Sequence, residues 1–356
     1  MSVIPQQTPQ DVPFDQYQRY RITAEIARAM GREARAPRVL DVGGHHSDFW
    51  GRPRRPIAEF LPGATTWTLD IGPNPLPGYV RGRGDALPFK DASVDLVCSV
   101  DVLEHVPQEA RTQLVRELQR TAARAIVLAA PFRHPDVERA EALVSRFIRE
   151  TCGYEQGQLL EHRAYGLPDL PSTWTALAAD GWTVRAFAYG NLWHWALMMI
   201  DKHAVSALAG SRRLQSQLDR AYNDTHFALD AEEPCYRHFL VATRRADDPL
   251  IAFVDAHFGA RASADAFATT RASEDSDRVF GLLDVHAANQ HLQARLEPQR
   301  RDDQVSELET LRAELYKNLN ALTAENKRLE QLLRDVEQSP TYRLSAWFRR
   351  WLPSQR

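Results

Sequence analysis

Cysteine is scarce in this chain: Cys98, Cys152 and Cys235 are the three among 356 residues, and no two have the CxxC spacing. An odd, widely spaced set excludes a disulfide framework and a thiolate zinc site. It suits a reducing compartment, and no metal is expected. Cys98 sits in an apolar run, as a small buried hydrophobe would. Long apolar runs are also missing. The most apolar stretch, Leu192 to Ile200, is interrupted by His194 and falls short of the roughly 18 residues that a spanning helix needs. The N-terminus has no basic start followed by an apolar stretch, so no signal peptide is expected and the chain is read as cytoplasmic. Neither sign of charge dominates: 44 basic against 47 acidic residues give a net charge of −3, which excludes whole-surface attraction to nucleic acid. No nucleic-acid partner is expected. What remains is a composition with 44% hydrophobic and 26% charged residues, enough for a sizeable core.

Short apolar runs alternate with helical patterns through the first half. Arg38–Val42, Thr66–Ile71, Val94–Ser99 and Ala125–Ala130 have the length and composition of strands buried on both faces. Gln108–Arg120 carries Leu114, Val115 and Leu118 on one face, which predicts an amphipathic helix, with Pro107 at its start. Alternation of this kind implies a parallel α/β sheet. Trp182–Tyr189 and Arg237–Arg244 read as two later strands. The helical stretch 191–227 between them is expected to be an insertion over one end of the sheet. Residues 246–301 read as a helical or irregular connector without a second core.

The chemistry lies in the turns that follow the strands. Val39-Leu40-Asp41-Val42-Gly43-Gly44 runs a strand into a glycine turn, where backbone can approach a ligand because no side chain intervenes. Asp70 ends the second strand, about 25 residues on, where a carboxylate can bind ribose hydroxyls. Gly84-Asp85-Ala86-Leu87-Pro88-Phe89 and then Asp101-Val102-Leu103-Glu104-His105-Val106 follow in order. Together these four motifs resemble those of the class I S-adenosylmethionine (SAM) dependent methyltransferases, small-molecule subgroup. The resemblance covers residues 38–106 closely and reaches more loosely to about Arg245. It implies a Rossmann-like sheet over residues 1–245 and SAM as cofactor. Asp41, Gly43, Gly44, Asp70, Ile71, Asp85, Ala86 and Asp101 would be the cofactor-binding residues, with Asp85 accepting from the adenine amino group. Where the family often has a further glycine, this chain has His45.

Methyl transfer is an in-line displacement in which the enzyme mainly aligns the acceptor. An alcohol acceptor also benefits from a general base. The candidates are His105, His134 and the Glu161-His162 pair. Topology favours His105 and His134, which follow strands at the carboxyl edge of the sheet, where ligands bind in open α/β folds. Taken singly, each histidine also fits a packing or capping residue.

From Asp302 a heptad begins. Val305, Arg312, Leu319, Asn326 and Leu333 fall at position a, and Leu308, Leu315, Leu322, Leu329 and Val336 at d. The unbroken d seam predicts a coiled coil over 302–338 that self-associates. Asn at a favours a parallel dimer, while Leu311 and Leu332 at g keep a trimer open. Residues 339–356 then form a short basic amphipathic segment, SPTYRLSAWFRRWLP followed by SQR. That segment is similar to short segments in bacterial surface-polysaccharide enzymes. The whole arrangement resembles methyltransferases that cap O-antigen chains. The resemblance implies an O-methyltransferase acting on a sugar hydroxyl, with a glycan or small-molecule acceptor. Its tail would meet a glycosyltransferase or the inner face of the membrane. Two alternatives stay open: a small hydrophobic or lipid acceptor, motivated by Trp193, Trp195, Leu197, Met198 and Met199, and a degenerate SAM-fold scaffold, motivated by His45.

Overall fold

A computed structural model describes residues 8–31, 36–47, 51–206, 211–267, 274–296 and 304–338. The chain divides into two compact units, Met1–Leu296 and Glu297–Arg356. The basic amphipathic segment expected at 339–356 lies outside the described residues.

The first unit is built on a seven-stranded sheet: β1 (Arg38–Val42), β2 (Thr65–Asp70), β3 (Tyr79–Arg81), β4 (Val94–Val100), β5 (Ala122–Ala130), β6 (Thr183–Asn191) and β7 (Cys235–Thr243). The spatial order is β3-β2-β1-β4-β5-β7-β6. The order reverses between β1 and β4, which are parallel neighbours, and this opens a crevice at their carboxyl ends. A mixed sheet with helices on its faces is the Rossmann-like arrangement expected.

The all-parallel expectation needs correcting. The pairs β1–β2, β2–β3, β1–β4 and β4–β5 are parallel, but β7 runs antiparallel to both β5 and β6. The cause is the connection. After Asn191 the chain enters α7 (Leu192–Ser206) and α8 (Ser211–Ala221), then re-enters the sheet at Cys235 beside the end it left. A chain that does not cross the layer can only run back alongside itself. The excursion is the insertion the sequence suggests. It buries Trp193, Trp195, Leu197, Met198 and Met199. Trp193 meets Phe280 edge-on and Trp195 stacks on Tyr236 at 4.0 Å. Their apolar character is therefore explained by core packing, which removes the observation that favoured a lipid acceptor.

Period-two alternation puts the strand side chains into two cores. Val39, Leu96, Cys98, Val100, Val127, Phe187, Phe239 and Val241 face one side, with Tyr20, Ile26 and Ala27 of α1 (Phe14–Met30) against them. Leu40, Val42, Val97, Ile126, Leu128 and Leu240 face the other, with Leu114 and Leu118 of α3 (Gln108–Thr121). Leu250 and Val254 of α9 (Pro249–Phe258) belong to the first core, and Phe280 and Leu283 of α10 (Glu274–Leu296) are buried too. The compact unit thus continues past residue 245 to Leu296.

The described part of the second unit is one helix, α11 (Gln304–Gln338). Among the described residues, no helix is long and apolar enough to cross a membrane.

Candidate functional site

Two groups of residues meet on the loop that follows β4. The first is the glycine turn after β1. Gly43 has φ +83°, and a Cβ there would lie 2.3 Å from Val102 Cγ2, so only glycine fits. Gly44 lies so close to the chain beneath it that a Cβ would sit 1.8 Å from Asp41 Oδ2. The Asp41 carboxylate, expected among the cofactor contacts, is fully buried under the turn, where it accepts from Tyr20 Oη at 3.0 Å and Cys98 Sγ at 3.6 Å. Burial pushes it up to about 7 even though both hydrogen bonds oppose the rise. Asp41 therefore shapes the turn from below.

Asp70 stands half-buried at the end of β2. One oxygen accepts the His45 N–H at 3.0 Å and the other the Ile71 N–H at 2.7 Å, which leaves each oxygen a further lone pair. Ile71 is a large apolar side chain left 71% exposed. His45 takes no positive φ, so the backbone at that position does not require the further glycine. Its ring is fixed by Asn74, with Nδ2 2.9 Å from Nδ1. His45 and Asn74 line a cleft of about 550 Å³ together with Ser47, Pro53 and Pro73. Asp85 is gripped by the Arg83 fork at 2.6 and 2.9 Å, and that hydrogen bonding holds its carboxyl below the usual range. Ala86 lies beside it, its N–H donating to Arg83 O at 3.3 Å.

Asp101 departs most from expectation. It sits at φ +54°, and both its oxygens are taken by arginines. Arg19 donates at 2.7 Å and Arg237 at 2.8 and 3.1 Å. Burial alone would raise this carboxyl, but Arg237 and Arg19 outweigh it and hold the group low. Arg237 is 1% exposed and also donates to Gln18. Asp101 thus anchors the loop. Neither arginine is marked by the motif: Arg19 lies on α1, whose 3–4 spacing (Tyr17, Tyr20, Ala24, Ala27) is the signal that would have revealed it.

The second group is the histidine cluster. Glu104 and His105 fall in a short 3₁₀ turn, Leu103–His105, and His162 and Glu161 on α5 (Gly157–Tyr165). Arg111 ties the two elements together by donating to Val106 O at 2.9 Å and to Gly166 O at 2.5 Å. Three of the four sequence candidates converge here. His105 Nδ1 meets Glu161 Oε2 at 2.8 Å, and the two imidazoles approach Nε2 to Nε2 at 3.4 Å. His162 Nδ1 meets Glu141 Oε1 at 2.8 Å, and that same oxygen accepts from Tyr236 Oη at 2.8 Å. Burial and the neighbouring His162 lower His105. Burial would lower His162 as well, but its bond to Glu141 raises it. Glu104 is 1% exposed, and burial aided by Asp101 pushes it up to about 8. The sequence did not mark Glu104, Glu141 or Tyr236.

The fourth candidate, His134, stands apart. It is the N-cap of α4 (Pro135–Cys152), and its Nδ1 accepts the Asp136 N–H at 3.2 Å, a structural role set by the Pro at the next position.

Residues 51–125 match the family model described as a methyltransferase domain. The chain carries a methyltransferase domain. SAM is the cofactor expected of it, and the turn, the two spare lone pairs of Asp70 and the exposed Ile71 fit such a group. Among solved structures, the YcgJ protein of Bacillus subtilis is similar at 15% identity, over 64% of this chain and 99% of that one, with a TM-score of 0.38. Magnesium protoporphyrin IX methyltransferase of Synechocystis PCC 6803, solved with bound S-adenosylhomocysteine, is similar at 13% identity, over 65% of this chain and 86% of that one, with a TM-score of 0.34. No curated protein matches the chain.

Proposed function

We propose that the methyltransferase domain acts on a sugar hydroxyl in bacterial surface polysaccharide of the O-antigen type, and that it caps the non-reducing end to stop chain growth. The observation that carries the hydroxyl acceptor is the His105–His162 pair. Two imidazoles, each steered by a carboxylate through Nδ1, turn both Nε2 atoms toward one point. That point lies on the loop that also touches the glycine turn. A hydroxyl needs such help to lose its proton, whereas an already anionic acceptor does not. The cofactor supplies a methyl group on a sulfonium. Asp70 would hold its ribose, Ile71 would cover its adenine, and the backbone at Gly43 and Gly44 would leave room for its methionine part.

The capping role rests on the tail. The α11 helix presents Leu322 and Leu329 of its d seam at 44% and 54% exposure, the face a second copy would cover. Self-association of this kind would bring two or three basic amphipathic tails to the inner face of the membrane or to a glycosyltransferase. It would strengthen a contact that is marginal for one tail alone. The enzyme would then be cytoplasmic and peripheral.

The test uses SAM with a labelled methyl group and a panel of surface-polysaccharide oligosaccharides. We expect label on a hydroxyl of at least one glycan. Truncation before Asp302 should spare transfer to a short acceptor while changing polymer length in cells. No transfer to any glycan overturns the acceptor class, and unchanged polymer length overturns the capping role.

A further inference from the structure

We infer that Glu104, His105 and His162 form a binding site for a divalent first-row transition cation. The three residues each offer one ligand atom, and these atoms lie within 4.8 Å of one another. The tautomers decide what the site can hold. Each Nδ1 is engaged by a carboxylate, His105 by Glu161 and His162 by Glu141, and a carboxylate asks for the Nδ1 proton. Both Nε2 atoms are then bare, and they face each other at 3.4 Å. Two lone pairs so placed need a positive charge between them, a proton or a metal cation. Bonds of about 2.0–2.1 Å at tetrahedral angles require an N···N separation of roughly 3.3–3.4 Å, which is the separation found.

Glu104 supplies the independent observation. It is 1% exposed, and its Oε2 has no hydrogen-bond partner among the described residues, an orphaned oxygen on a carboxylate of the same cluster. Its Oε1 lies 4.0 Å from His105 Nε2, about 0.6 Å beyond the tetrahedral separation on that edge, so the carboxylate must close on the imidazoles to ligate. The Nδ1 carboxylates are the outer partners that metal-ligating histidines usually have, and Tyr236 extends that shell by donating to Glu141. Two imidazoles and one carboxylate suit zinc, manganese or cobalt better than magnesium. Three protein ligands leave at least one open position. That position would take acceptor oxygens, and with both Nε2 atoms on the cation it is the cation, not an imidazole, that would acidify the hydroxyl; this role rests on the methyltransferase reading, whereas the site itself does not.

The full chain, without SAM or acceptor, is titrated calorimetrically with Zn²⁺, Mn²⁺ and Mg²⁺. We expect one equivalent of Zn²⁺ to bind, and Mg²⁺ to bind at least 100-fold more weakly. Glu104→Gln and His162→Gln should each weaken Zn²⁺ binding tenfold or more, and Glu141→Gln should weaken it by about tenfold. No saturable Zn²⁺ binding by the wild type overturns the inference, as does unchanged affinity in folded Glu104→Gln and His162→Gln. Should those variants fail to fold, the wild type decides alone. Zn²⁺ must protect His105 and His162 from diethyl pyrocarbonate more than the other histidines, as read by mass spectrometry, and equal modification overturns the site. Because neither SAM nor acceptor is present, loss of the cation site leaves the methyltransferase reading standing, and the reverse holds too.

Discussion

Replacing Gly43 by alanine separates two costs that the structure imposes at one atom. The first is backbone strain. At φ +83° an L-residue meets its own carbonyl, a penalty of about 1–2 kcal/mol. The second is a collision: the new Cβ would lie 2.3 Å from Val102 Cγ2 and 3.0 Å from Cγ1. Valine is stiff about χ1 and cannot swing both methyls aside, so local overpacking adds about 1–3 kcal/mol. The total, about 2–5 kcal/mol, is a large part of an ordinary domain's stability. Val102→Ala removes both methyls and leaves a Cβ at 3.3 Å, a contact that a few tenths of an ångström of movement relieves. In that background Gly43→Ala should retain the backbone cost alone.

Urea unfolding of the wild type, the two single variants and the double variant gives the coupling directly. A coupling of about 1–3 kcal/mol is expected between Gly43→Ala and Val102→Ala. A loss equal in both backgrounds to within about 0.5 kcal/mol would refute the collision and leave the φ angle as the only reason for glycine. Gly44→Ala provides a contrast, because its Cβ would press on the buried Asp41 carboxylate, which Val102→Ala does not relieve.

Two further outcomes follow from buried charge. Arg237→Met strips Asp101 of one of its two arginines in a buried setting and should cost about 3–5 kcal/mol by the same urea assay; a loss below about 1 kcal/mol would mean that Arg19 alone suffices. Burial lowers His203 and His238 to about 4 and His46 to about 3, so in the folded chain all three are neutral at pH 7. The unfolded chain binds protons first as pH falls below about 6.5, so stability drops between pH 6.5 and 4, by up to on the order of 3 kcal/mol per histidine. Asp41 and Asp219, raised to about 7 and about 6, act oppositely by favouring the fold as pH falls through the same window. The comparison is therefore wild type against His203→Gln, whose unfolding free energy should fall less steeply from pH 6.5 to 4; equal slopes would show that His203 titrates normally.

The central strands were legible because they are buried on both faces and so read as continuous apolar runs. The edge strand β3 was not, because three residues, the half-buried Tyr79 and Val80 and the exposed Arg81, carry no pattern. The direction of β7 was hidden for another reason: periodicity within a strand says nothing about its neighbour, and the connection through α7 and α8 decides it. At the site, the motif spacing led to the turn, to Asp70 and to the loop after β4, and it named three members of the histidine cluster. The roles of the aspartates were less legible. Asp41 and Asp101 hold the turn and loop in shape through partners such as Tyr20, Arg19 and Arg237, and Arg237 lies 136 residues from Asp101. His134 carried part of its signal, since a Pro at the head of an apolar-periodic run marks a helix start and puts the residue before it at the N-cap.

The loop from Asp101 to Val106 is where these observations combine. Its first residue takes a left-handed turn, its second limits Gly43, and its fourth and fifth face His162. One short segment thus sets the glycine turn on one side and the histidine cluster on the other. A loop with such duties needs to be held from outside, because its own 3₁₀ turn is short and weak. Arg19 from the first helix and Arg237 from the last strand supply that hold by gripping the residue at its start. The charge of the clamp suits the place. A neutral hydrogen-bond pair would fix the loop less firmly, and an unpaired Asp101 would leave a bare negative charge beside Glu104, driving it still further from ionisation. The two arginines therefore position Asp101 and also screen it, so that Glu104 and the two imidazoles share one local balance of charge. A cation would complete that balance.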